Sequence, residues 1–400
     1  MQKRILPIVF GTLVLDMIGT GMIIPIIPIL FTDPSSHSFL LHGYSESARF
    51  MIAGLITALF GLMQFLAAPL LGELSDAYGR KRLLMIGVGV LAFSQALFGL
   101  GIALASLSVI LIARTIAGLA GANFAIAQAT IADVTAPEDR AKNFGLIGAA
   151  FGTGFILGPV LGGWIASATG DAAAPFWCAA ALGIVNLLFV ALMLPETRRV
   201  GKEIRRRFTL LRGFHNIRDA VRDVDARSIY LASFLHMAGF SFLVSFIGVF
   251  LVVRLGFSEA GVGTFFGAVG AWVVVTQLLI LRVVTRLYSE RRIVRITLPI
   301  LSLSMCAYAL VPSASLVYLL IPLIAIPQGL TIANMQALVS KSVSGEKQGA
   351  ALGINSSLIA LSQGTVPLIA GTISGIAGVQ APFLIGAAII AGAWMTLFAW

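Results

Sequence analysis

Apolar runs of about twenty residues, separated by short polar turns, repeat along this chain from one end to the other. A helix crosses the hydrocarbon core of a bilayer in about 20 apolar residues. Twelve runs meet that length, at roughly 5–31, 50–72, 83–104, 107–132, 142–168, 175–194, 228–253, 260–281, 293–311, 316–340, 349–373 and 382–400. The runs do not alternate in polarity, so they predict membrane-spanning helices and not the strands of a barrel. The first run follows Lys3 and Arg4 as a signal peptide would. It is too long for one, contains Asp16 and lacks a small-residue cleavage pattern, so it reads as a retained first helix.

Composition agrees with this pattern. Of 400 residues, 58% are hydrophobic and 11% charged, and the mean hydropathy is +0.98. Soluble domains carry about 25% charged residues. A soluble enzyme, a nucleic-acid-binding domain and a disordered chain are therefore excluded. The 42 glycines suit helices packed closely in a bilayer. Cys178 and Cys306 lie inside apolar runs and form neither a metal-binding nor a disulfide pattern.

The formal net charge of +10 comes from basic residues gathered in alternate turns: the N-terminus, 73–82, 134–141, 195–227, 282–295 and 341–348. Of the 27 basic residues only Arg49 and Arg254 fall on the other side, and only Arg114 lies well inside a run, away from its ends. That asymmetry predicts both termini in the cytoplasm and makes the lipid bilayer, not nucleic acid, the partner of the positive charge. The longest break, 195–227, divides the chain into an N-terminal six-helix bundle (1–194) and a C-terminal one (228–400). It reads either as a solvated basic tether or, through the helical spacing of Phe208, Leu211, Phe214, Ile217 and Val221, as a helix on the membrane surface.

The halves repeat. Tyr78, Lys81 and Arg82 align with Tyr288, Arg291 and Arg292, and Glu138, Gly145, Pro159 and Gly163 align with Glu346, Gly353, Pro367 and Gly371. Parallel six-helix repeats with a site at their interface are a transporter architecture.

Three motifs carry a resemblance to a known family. GELSDAYGRKR (72–82), LIARTIAGLAGANFA (111–125) and GTGFILGPVLGG (152–163) resemble, in order, the first cytoplasmic-loop signature, the helix 4 signature and the helix 5 signature of major facilitator superfamily transporters. The resemblance is to the twelve-helix drug:proton antiporters of the tetracycline- and multidrug-efflux type. It implies an all-α integral membrane fold of two six-helix pseudo-repeats working by alternating access. It also implies a monomer in a bacterial cytoplasmic membrane, an amphipathic small-molecule substrate and protons as the second partner. No cofactor, metal or enzymatic activity is implied.

By that resemblance Gly72, Asp76, Gly79, Arg80 and Lys81 form a gating turn in which Asp76 latches the halves; the plainer reading is a basic, topology-setting turn. The family carries a basic residue after this aspartate, and here Ala77 stands instead. In the fifth run Gly154, Gly158, Pro159, Gly162 and Gly163 offer a smooth face and a bend, which serves antiport or ordinary packing equally.

Asp16 is the one acid well inside a run, and Arg114 the one basic residue. Intramembrane charge points to function by default. One reading has Asp16 exchanging a proton with Arg114 adjusting it; the other has both residues satisfying local backbone. In the second half only His236 titrates near neutral pH, and it reads as either a coupling or a packing residue. The fold implied by the resemblance lines a central cavity with Thr20, Gln64, Asn123, Gln128, Phe240, Phe246, Gln277, Asn334, Gln336, Asn355 and Gln363, a mostly apolar surface with few polar groups. Such a pocket suits a lipophilic organic compound. The alternative is one specific metabolite, such as a siderophore, lipid or peptide-like compound, without proton coupling. His37, His42 and Glu46 in the 32–48 loop fit no metal-ligand spacing. A membrane-embedded enzyme lacks the nucleophile or metal cluster it needs, and a receptor or scaffold has no need of the repeat.

Overall fold

A computed structural model describes residues 2–121, 123–135, 140–197, 212–223, 226–343 and 348–397. The repeat partners Glu138 and Glu346, and Phe208 and Leu211 of the linker, lie outside them. Every regular element among the described residues is a helix, with no strand among them. Ten helical stretches are long and apolar enough to cross a membrane, and a shorter apolar helix closes the chain. Leu192, Leu303, Leu319 and Ile376 are each exposed by two thirds or more, a surface that suits lipid and not water.

The first run divides into α1 (Gln2–Gly21) and α2 (Ile26–Thr32). Pro25 has no N–H for the Gly21 carbonyl, and Ile24 N donates to it instead at 3.1 Å. Next come α3 (Glu46–Tyr78), α4 (Arg80–Ala103), α5 (Leu107–Ala120), α6 (Asn123–Val134), α7 (Arg140–Thr169) and α8 (Ala174–Met193). In the fourth run, read from sequence as one helix, α5 ends in a turn at Gly121, whose carbonyl accepts from Gln64 Nε2 at 2.9 Å. Ser45 caps α3 by accepting from Ala48 N.

The linker supplies α9 (Arg212–Arg222), and then follow α10 (Arg227–Leu255) and α11 (Glu259–Val275). A π turn (Thr276–Ile280) joins α11 to α12 (Leu281–Leu287), ahead of α13 (Glu290–Ala309), α14 (Ala314–Lys341), α15 (Gln348–Ala377) and α16 (Ala381–Thr396). The π turn is a departure from the straight helix read over 260–281.

Within the first part of the chain α1 packs on α7 and α8, and α4 on α5 and α8; in the second part α10 packs on α15 and α16, and α13 on α14 and α16. Two long contacts cross between them, α3 with α15 and α7 with α11. Both are lined by glycine. A Cβ on Gly54 or Gly61 would strike α15 backbone at Pro367 or Gln363, and one on Gly263 would strike the Pro159 carbonyl. The α3–α15 contact runs from Ser47 beside Gly375 to Leu62 beside Gly364. Beyond that level α9 stands between the two helices. Gly213 lies on the Phe65 ring, Phe214 meets Phe65 edge-on at 5.2 Å, and Asn216 Nδ2 donates to Ser357 Oγ at 2.9 Å. The buried face of α9 carries Gly213 and Ala220, while Phe214 and Val221 are exposed.

Candidate functional site

The motif turn between α3 and α4 is built on Gly79, whose φ of +98° few side-chain-bearing residues adopt. The Glu196 carboxylate, just beyond α8, accepts from Arg80 N at 2.8 Å and Lys81 N at 3.2 Å, neutralising the open N-terminus of α4. The Arg80 side chain is 5% exposed. It donates to Asp76 Oδ1 at 2.5 Å, Asp133 Oδ2 at 2.9 Å and Ser75 Oγ at 2.5 Å. One guanidinium therefore ties the ends of α3, α4 and α6. Lys81 Nζ donates to the Ala191 carbonyl. Gly72 has open space around it, and its carbonyl accepts from Ser75. At the same end of the second part Arg291 and Arg295 donate to the Leu397 carbonyl, and Lys341 pairs with Glu290.

On α7 the motif glycines have two separate uses. Gly154, Gly158 and Gly162 lie against Met17, Gly21 and Met22 of the first run, whereas Gly163 faces the Glu259 carbonyl on α11. The Pro159 carbonyl faces Gly263. Helix α7 is therefore held between α1 and α11, close to both.

Asp16 lies in mid-bundle, 6% exposed. Its Oδ2 accepts from Asn123 Nδ2 at 2.9 Å and its Oδ1 from Asn186 Nδ2 at 2.8 Å. Beside it is a cavity of about 10 Å³ lined by Thr20 and Gln95 among others, room for about one water. Apolar clusters lie on both sides of this level. One holds Ile5, Val9, Leu13, Val88 and Val190; the other holds Ile26, Phe31, Phe98, Ile110 and Phe176. The second part has instead one large cluster, which runs to Leu397 and also takes in Ile29 and Phe50 of the first part.

Arg114 does not join Asp16. Its Nε donates to the Ile56 carbonyl at 3.1 Å, and its guanidinium lies 5.1 Å from the centre of the Phe60 ring. Arg114 is thus met by backbone and a ring face, and Asp16 by two side-chain amides. His236 pairs with Gln328 Oε1 at 2.8 Å and is 1% exposed. Among the expected cavity residues, Gln128, Gln277, Gln336 and Gln363 are exposed, while Gln64, Thr20 and Phe240 are half-buried. Asn355 accepts from Ser233 and Asn334 donates to its own helix at Leu330. Phe246, at 1%, is part of the closed core and is not brought to any open surface. Asn186, which meets Asp16, was not singled out from the sequence. The available signal was a lone amide in the apolar run of α8.

The chain matches the Major Facilitator Superfamily over residues 9–326 and 229–400, and it belongs to that family. It is 28% identical to a class C tetracycline resistance protein of Escherichia coli over 92% of this chain and 89% of the relative. It is 27% identical to multidrug resistance protein 1 of Bacillus subtilis over 100% and 97%. Among solved structures it resembles the human organic anion transporter MFSD10, with a TM-score of 0.76, 25% identity and 99% of each chain covered.

Proposed function

We propose that this chain is a secondary transporter that exports amphipathic or lipophilic organic compounds in exchange for protons. Twelve spans follow if α7 and α16 join the ten apolar stretches, with both termini on the cytoplasmic side by the distribution of Lys and Arg. The setting is a bacterial cytoplasmic membrane, and the working unit is a monomer. Residues 1–194 and 228–400 act as two bodies joined by the basic segment 195–227.

The observation that carries this reading is Asp16, a carboxylate enclosed between two apolar clusters at a junction of α1, α6 and α8. A buried acid in a membrane bundle is costly and marks a proton path by default. The glycine-lined contacts of α3 with α15 and α7 with α11 supply a closed end, and α9 between α3 and α15 marks the opposite end as parted. That arrangement fits a state open to the cytoplasm, from which the halves rock. Exposed Gln128, Gln277, Gln336 and Gln363 with half-buried Phe240 offer few polar groups in an apolar setting, as a lipophilic substrate requires. The names of the tetracycline and multidrug resistance relatives support the same substrate class.

Energised everted membrane vesicles test the reading. Vesicles containing the chain should accumulate a fluorescent amphipathic cation and release it when a protonophore is added. Accumulation that a protonophore leaves untouched contradicts proton exchange.

A further inference from the structure

The carboxylate of Asp16 is held from two sides by amides, and the arrangement is one-sided. Asn123 and Asn186 each turn their NH₂ group to it, and Asn186 Nδ2 also donates to the Thr12 carbonyl at 3.0 Å. The amide oxygens of both residues and the Thr12 hydroxyl oxygen are buried with no hydrogen-bond partner. Both amides thus present donors to the ionised acid, and their own oxygens stand idle. A protonated Asp16 has an O–H to donate, and neither facing NH₂ can accept it. A half-turn of an amide exchanges its oxygen and nitrogen within nearly the same outline. It would also give an idle acceptor its partner, and a buried acceptor without one is costly.

The geometry points to Asn123 and Asn186 as the positioning residues of proton exchange at Asp16. Both hold the ionised form, and one amide reverses to accept from the acid once it is protonated. This rests on the reading of Asp16 as the exchanging group. Asn123 is the better placed to pass the change on. It stands two residues past the turn at Gly121, and its oxygen lies against Gly87 of α4, where a Cβ would collide with it. Reversal puts the NH₂ group against that helix. Asn186 sits inside unbroken α8 and acts as the fixed side of the clamp.

No charged side chain among the described residues on the packed helices pairs with Asp16. Arg80, Lys81 and Arg82 on α4 and Asp133 on α6 sit at the helix ends, α8 carries no charged residue, and Arg114 on α5 is bound to Ile56. On α7 the charged residues are Arg140 and Lys142, at its start.

The test is the pH profile of amphipathic-cation transport in proteoliposomes for wild type, Asn186→Leu, Asn123→Leu and Asp16→Asn. Leucine keeps the volume and removes the donor, so the acid needs a higher pH to lose its proton. Each leucine variant should move the midpoint upward by about one to two pH units. Asn186→Ser and Asn123→Ser, which keep a shorter donor, should fall between wild type and leucine, and they carry the test if a leucine variant does not fold. A purely structural role lowers the rate at every pH and leaves the midpoint in place, which overturns the inference while Asp16→Asn still abolishes coupling. Wild-type coupling in Asp16→Asn overturns the underlying reading together with it.

Discussion

The contact of α3 with α15 sets a limit on closure that one methyl group should breach. A Cβ on Gly54 would meet the Pro367 carbonyl oxygen, with Gly371 Cα at 3.2 Å. Gly371 in turn faces the Phe50 carbonyl and the Gly54 Cα. All these atoms are helix backbone, so no side-chain rotation relieves the clash. Carbon atoms settle at about 3.5–4.0 Å, so Gly54→Ala forces the two helices apart. Overpacking of a tight contact costs about 1–3 kcal/mol. The gain in helix propensity, about 1 kcal/mol, is common to both states and cancels. The clash is felt only while this end is closed, so the ratio of closed to open molecules should fall by about 5- to 150-fold. Spin labels at Leu104 and Leu310, exposed residues just past α4 and α13, report the opening in a background with Cys178 and Cys306 replaced by serine. Electron–electron double resonance should show the longer distance gaining population in Gly54→Ala. Superimposable distributions would refute the argument that backbone contact at Gly54 closes this end.

Other outcomes follow from the same packing. Arg80→Ala removes a guanidinium that serves Asp76, Asp133 and Ser75 together; it should lose about 3–5 kcal/mol, read as a fall in thermal unfolding temperature in detergent, and Arg80→Lys should recover only part because an ammonium lacks the fork. Gly79→Ala should cost about 1–3 kcal/mol for the φ of +98°, whereas Gly72→Ala, in a helix with open space around it, should be neutral or gain up to about 1 kcal/mol; denaturant titration of the pair separates backbone strain from general intolerance of the turn. Arg114→Leu loses the Ile56 carbonyl bond and the Phe60 stack, so stability should drop by about 1–3 kcal/mol while the proton-to-substrate ratio stays at the wild-type value. A changed ratio in folded Arg114→Leu would tie Arg114 to Asp16 after all.

What the sequence disclosed follows from how local each signal is. Apolar length places the helices, because a span is decided by its own residues. The break at Pro25, inside a run read as one helix, has a cause just as local, since the ring removes one N–H from one carbonyl. The use of the α7 glycines was half legible: their spacing marks a close contact, but only the packed structure divides them between α1 and α11. Partner choice was out of reach. Asp16 and Arg114 attract each other on paper as the two mid-run charges, yet Arg114 turns to α3 and Asp16 to Asn186, 170 positions along the chain. A guanidinium is satisfied as well by a carbonyl and a ring face as by an acid, so charge inventory does not fix pairing. In the linker the spacing of Phe214, Ile217 and Val221 left a tether and a surface helix equally open, and which side of α9 is buried, that of Gly213 and Ala220, was not readable from that spacing.

The central claim is exchange of substrate for protons through Asp16. Purified protein in liposomes with a lumenal pH indicator tests it most directly, with amphipathic cations and antibiotics added to wild type and to Asp16→Asn. Substrate-evoked proton flux in the wild type that vanishes in Asp16→Asn, with substrate binding retained, is the predicted result. Equal proton flux in both proteins would contradict it.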